Sequence, residues 1–184
     1  MNVPQTLCCL VGCLAFLMSG CGGERGSTVT RQQLTSTDPA VRYRAAEELS
    51  INQSIEATRL LIAALSDTDR GVRIRAAESL GRRKAKEATA ALIAALRDPE
   101  MGVRAQAAGA LGEIGAEAAV RPLVALLEDS LAKKPKGPYT TWEWGQDVDA
   151  AAFALKQMTG EGFAFDTSKW EKWLAEAKTE MKNR

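Results

Sequence analysis

The sequence predicts an all-α chain, an α-solenoid of about four stacked helix pairs closed by a C-terminal capping helix that contains tryptophan. Three observations predict it. Val41, Val72 and Val103 recur at a spacing of 31 residues, each opening a similar segment: VRYRAAEELS, VRIRAAESLG and VRAQAAGALG. Upstream of these runs a second series in the same period, LLIAAL from Leu60, ALIAAL from Ala91 and PLVALL from Pro122. Finally, the tail places Trp170, Trp173 and Leu174 on one helical face behind Asp166, a helix-capping residue type. A fixed period of this length marks stacked repeats, in which each unit buries its apolar face only against its neighbours.

Each element follows from local pattern. Val41, Ala45 and Leu49, and their equivalents in the next two copies, fall at i, i+4 and i+8, one face of a helix. The Leu-rich series forms the preceding helix of each pair, and the turns SDTD from Ser66 and RDPE from Arg97 supply Asp and Pro to cap or start the next helix. Ala45, Ala46, Ala76, Ala77, Ala107 and Ala108 let neighbouring helices approach closely. Leu34 sits one period before Leu65, so residues 30–34 read as a worn first helix, as terminal repeats often are. In the fourth copy Ala151, Leu155 and Met158 align with Ala107, Leu111 and Ile114 once 13 inserted residues are allowed between Leu127 and Asp147. The insertion defines a loop at about 128–146 with Pro135, Gly137 and Pro138 as helix breakers and Tyr139, Trp142 and Trp144 as large apolar groups.

With these residues in place, the chain resembles the HEAT repeat family, in particular the short HEAT-like repeats of the phycobilin-lyase type, over about residues 30–160. The resemblance implies a ladder in which a turn Asp pairs with an Arg six residues later: Asp67 with Arg73 and Asp98 with Arg104, with Ser36 in place of Asp before Arg42. The C-terminal pattern looks like tails of other bacterial HEAT-repeat proteins, which implies a cap over the open end of the stack.

Residues 7–18, LCCLVGCLAFLM, are too short for a membrane span and suited to a signal-peptide core. The following MSGC resembles the lipobox of bacterial lipoproteins, which implies lipid on Cys21 and removal of residues 1–20; a retained N-terminal anchor is the rival reading. Residues 21–29 then form a flexible tether to a domain at 30–184. All four cysteines lie within the first 21 residues, so disulfides are not expected to hold the repeats. The expected location is the cell envelope, lipid-anchored and facing the periplasm or exterior, at the outer membrane where the cell has one.

Charge gives no nucleic-acid footprint, since 24 basic residues stand against 23 acidic ones. The chain has no His, which excludes Ser-His and Cys-His nucleophiles and imidazole metal sites. The carboxylates read as caps and solvated faces. The sequence therefore predicts a protein that is not an enzyme, without cofactor or metal, acting as a scaffold for another envelope protein. Tyr43, Arg44, Ile74, Arg75 and Gln106 on the second helices, with Tyr139, Trp142 and Trp144 in the loop among Lys133, Lys134 and Lys136, are the candidate contact residues. Two bland readings stay open: Arg44 and Arg75 as solvated helix surface, in i, i+3 pairs with Glu47 and Glu78, and the loop aromatics as a seal on the last repeat. A carbohydrate or envelope-polymer binder is the alternative function. A bilin lyase-like activity, implied only by the resemblance, is the remote one.

Overall fold

The structure, a computed structural model, describes residues 31–133 and 145–182, with the side chains of residues 177–182 left aside. Among the described residues helix is the only regular secondary structure. After a helical turn at residues 31–34 come α1 (Pro39–Ile51), α2 (Ile55–Ala64), α3 (Arg70–Arg82), α4 (Thr89–Ala95), α5 (Met101–Ile114), α6 (Val120–Ala132), α7 (Gln146–Thr159) and α8 (Thr167–Lys182). Short 3-10 turns, Lys86–Ala88 and Glu117–Ala119, lead into α4 and α6.

The predicted pairing holds. The valine-led helices α1, α3, α5 and α7 lie side by side in one layer, and α2, α4 and α6 form the second layer across from them. The starts of α1, α2 and α3 are set by side-chain caps: Asp38 accepts from Ala40 N–H at 2.9 Å, Ser54 from Ala57 at 3.1 Å and Asp69 from Val72 at 3.1 Å, whereas α5 starts at Glu100 without one. Gly115 ends α5 in the left-handed region at φ 69, where a Cβ would be strained. Between the layers runs a continuous core whose fully buried members repeat with the period: Leu49, Leu80, Leu111 and Leu155 from one layer, Leu61, Leu92 and Leu123 from the other. Arg83 ties α3 to the preceding pair by donating to the carbonyls of Leu49 (3.0 Å) and Ser54 (2.9 Å) and to Thr58 Oγ1 (2.8 Å).

The alanines line the stack, and two glycines stand where the next helix comes close. A Cβ on Gly81 would stand 2.8 Å from Ala110 Cα, and one on Gly112 would stand 2.9 Å from Ala154 Cα. Close backbone approach is what glycine permits there. At the C-terminal end, α8 packs on α6 and buries Trp170 completely. Asp166 caps it through the Lys169 N–H at 3.1 Å, and Trp170 Nε1 donates to Ala164 O at 3.1 Å. Among the described residues no helix is long and apolar enough to cross a membrane.

The ladder exists with different rungs. The resemblance implies Asp67 with Arg73; the structure pairs Arg42 with Asp67 and Arg73 with Asp98, each across 25 residues and from one repeat to the next, at 2.7 and 2.8 Å. What lies six residues before each Arg is a backbone carbonyl: Arg73 Nη1 donates to Asp67 O at 2.8 Å and Arg104 Nη1 to Asp98 O at 2.9 Å. The carboxylates cannot turn back to their own Arg because each is already committed to its turn, Asp67 accepting from Asp69 N–H at 2.8 Å and Asp98 from Glu100 N–H at 2.9 Å. Ser36 needs no carboxylate for the same reason, since Arg42 takes its carbonyl at 2.8 Å.

The third rung crosses the insertion. In register the partner of Arg104 would be Asp129, but α6 runs on past that residue and Asp129 instead meets Lys133 at 2.5 Å on an exposed face. Asp147 replaces it, accepting from Arg104 Nε at 2.7 Å and Ser130 Oγ at 3.0 Å while only 2% exposed. Asp147 occupies the register of the core valines, and Val148 the register of the Arg.

Candidate partner-binding surface

The face of α1, α3, α5 and α7 turned away from the second layer is built by one register of side chains. Tyr43 and Ile74 are equivalent residues, and both lean onto the next helix, where a glycine makes room. The Tyr43 ring lies 3.6 Å from where a Cβ on Gly71 would be, and Ile74 lies 3.3 Å from the corresponding point on Gly102. These two candidate residues are half-buried, so part of their surface serves packing between repeats.

Arg75 sits over the Tyr43 ring, its Cζ 4.8 Å from the centroid, and donates to the Tyr43 hydroxyl. It also meets Glu78 at 2.7 Å and Glu47 at 3.7 Å. The hydrogen bond to Tyr43, opposed by burial and helped by Glu78, raises its pKa. This cluster fixes Arg75 in place, which favours the structural reading of that residue. Arg44 remains exposed and Gln106 half-buried.

Towards α7 the surface changes. The outward positions of α5 are Gly102, Ala105 and Gly109, and a Cβ at Gly109 would meet nothing within 4 Å. On α7 the register that holds Glu47, Glu78 and Gly109 holds Phe153, which is 61% exposed. The face thus runs from a charged and aromatic end on α1 and α3 to a side-chain-poor strip on α5, beside which α7 sets Phe153 among the exposed Gln146 and Asp149 of the neighbouring registers. Phe153 was missed from periodicity because no residue in its own segment marks it; the signal is the comparison with Glu47 and Glu78 one and two repeats back.

Other candidates stand elsewhere. Tyr139, Trp142 and Trp144, with Lys134 and Lys136, and Cys21 lie outside the described residues. Asp67, Arg73, Asp98 and Arg104 form the ladder at the turns. Among the described residues no group of three or more potential ligating side chains could hold a metal ion.

The family described as HEAT repeats matches residues 57–134. That span takes in α2 to α6, so the match falls on the helix pairs of the middle of the stack. Solved structures are also similar, among them a chain of the complex of CpcE and CpcF of phycocyanin lyase from Nostoc sp. PCC7120, at a TM-score of 0.62 and 27% identity. That match covers 73% of this chain and 53% of the other, so the protein spans about half the length of the lyase chain. No curated protein matches it in sequence. The lyase match corrects the expectation that the chain is not an enzyme: a chain 27% identical to it is part of a phycocyanin lyase complex.

Proposed function

We propose that this HEAT-repeat protein is a scaffold of the cell envelope, tethered through Cys21, that holds a partner protein on the outward face of α1, α3, α5 and α7. The observation that carries the reading is Phe153, a large apolar side chain exposed beside the side-chain-poor surface of α5, in a register where α1 and α3 carry Glu. An exposed aromatic next to a flat apolar strip suits the centre of an interface, with Arg44 and Gln106 towards its polar rim. The structural relative is itself described in a complex of two proteins.

The test is a photo-cross-linker at position 153 in intact cells, followed by the Phe153→Glu variant, which carries the residue of the first two repeats. A partner captured at 153, and lost in the variant with the melting temperature unchanged, supports the reading. Equal capture by the variant sinks it. The tether is checked separately by feeding a labelled lipid precursor: the wild-type chain incorporates it and Cys21→Ser does not.

The lyase likeness favours a second reading, a bilin lyase-like activity or a part in one. Mixing the purified protein with a linear tetrapyrrole reads it directly. A shifted visible absorption band that follows the protein through gel filtration supports it, and an unshifted, freely separating pigment rejects it.

A further inference from the structure

The turns that join one repeat to the next form an edge of the solenoid, and its register serves as an internal control. Ile51 and Ile55 flank the first of these turns and are 81% and 74% exposed. The equivalent positions hold Arg82 and Lys86 at the second turn and Glu113 and Glu117 at the third. All four are exposed, so the position itself belongs to solvent and the isoleucines are the exception. Lys84 adds a third exposed cation to the second turn, while Arg83 beside it is spent on the carbonyls of α1 and the α1–α2 turn. Along this edge the surface is therefore apolar at the N-terminal end, basic on balance one repeat further, where Arg82, Lys84 and Lys86 outnumber the exposed Glu87, and acidic beyond that.

The chain enters the fold at the apolar end. Arg31, at the start of the described residues, pairs with Glu56, the neighbour of Ile55. Only residues 22–30 separate Cys21 from that point, and nine residues reach at most about 30 Å when fully extended. A group anchored at Cys21 thus holds this edge close to the bilayer, where the binding of a few side chains becomes an intramolecular event.

We propose that this edge seats on the lipid surface, with Ile51 and Ile55 dipping into the interface and Arg82, Lys84 and Lys86 against anionic headgroups. Apolar residues backed by cations are what an interfacial contact requires, and the acidic third turn lies where headgroup charge would repel it. This orients the solenoid and leaves the outward face of α5 and α7 free for a partner. The inference rests on the tether proposed above.

The experiment uses the full chain reconstituted into vesicles of phosphatidylethanolamine and phosphatidylglycerol, with flotation to read attachment and hydrogen exchange to read the face. The expected result is flotation together with several-fold slower exchange of the amides at residues 52–56 than in detergent, and no such change at residues 114–118. The double variant Ile51→Glu, Ile55→Glu, which copies the third repeat, loses the slowing while keeping its melting temperature. Flotation with unchanged exchange at 52–56 overturns the seating and leaves the tether intact. Failure to float removes both. Slowed exchange that persists in detergent and grows with protein concentration overturns the seating in favour of a second copy on the isoleucines.

Discussion

At the scale of single residues, three glycines of α3 and α5 separate two physical effects. A Gly→Ala change inside a helix gains up to about 1 kcal/mol of propensity. At Gly81 and Gly112 the new methyl would overlap the backbone of the next helix, at 2.8 and 2.9 Å from Ala110 and Ala154 Cα, and forcing helices apart costs roughly 1–3 kcal/mol. At Gly109 the methyl meets nothing. Gly81→Ala and Gly112→Ala are therefore expected to lower the chemical-denaturation midpoint, and Gly109→Ala to raise it by an amount worth about 0.5–1 kcal/mol. A rise at Gly81 would show that the stack is looser than drawn.

At the scale of elements, the rungs decide how one repeat is fixed on the next. The Asp98 carboxyl is pushed up by burial, but the Arg73 guanidinium and the Glu100 N–H outweigh that and hold it below the usual carboxylate range; Asp67 behaves likewise with Arg42. A depressed folded pKa contributes stability that is complete above the unfolded value, about 4, and lost as pH falls through the folded one. Asp98→Asn leaves Arg73 without its partner charge, with an expected cost of roughly 2–3 kcal/mol at pH 7. The gap in melting temperature between wild type and variant should be widest above pH 5 and shrink below pH 4. A constant gap would mean that the carboxylate charge contributes nothing. How far such an element can be read from sequence depends on what spacing encodes. The core and the helix pairs were legible because Val72, Ala76 and Leu80 need only a face to be buried. The rungs were not, because a six-residue spacing cannot say that Arg73 takes the Asp67 carbonyl while the carboxylate serves the turn and the previous repeat. Asp147 was least legible, since it closes a rung from a valine register after the insertion. Phe153 was readable only by comparing registers.

At the scale of the whole molecule, the ladder stops at both ends. Ser36 offers no carboxylate to a preceding Arg, and Val148 offers no guanidinium to a following Asp, so one copy stacked on another gains no rung. The C-terminal end is closed further by α8, which extends the second layer over α6. Its anchor is Trp170, with Phe163 edge-on at 4.9 Å and Trp173 at 6.2 Å. Truncating a buried Trp to Ala costs about 3–5 kcal/mol. In a stack whose stability is a sum of neighbour contacts, that loss stays near where it is made. Trp170→Ala is thus expected to speed hydrogen exchange in α6, α7 and α8 while α1, α2 and α3 keep theirs, and to split the thermal transition into an early C-terminal step and a later one. Equal acceleration in every helix would show instead that the array unfolds as one cooperative unit, with the cap stabilising α1 as much as α6.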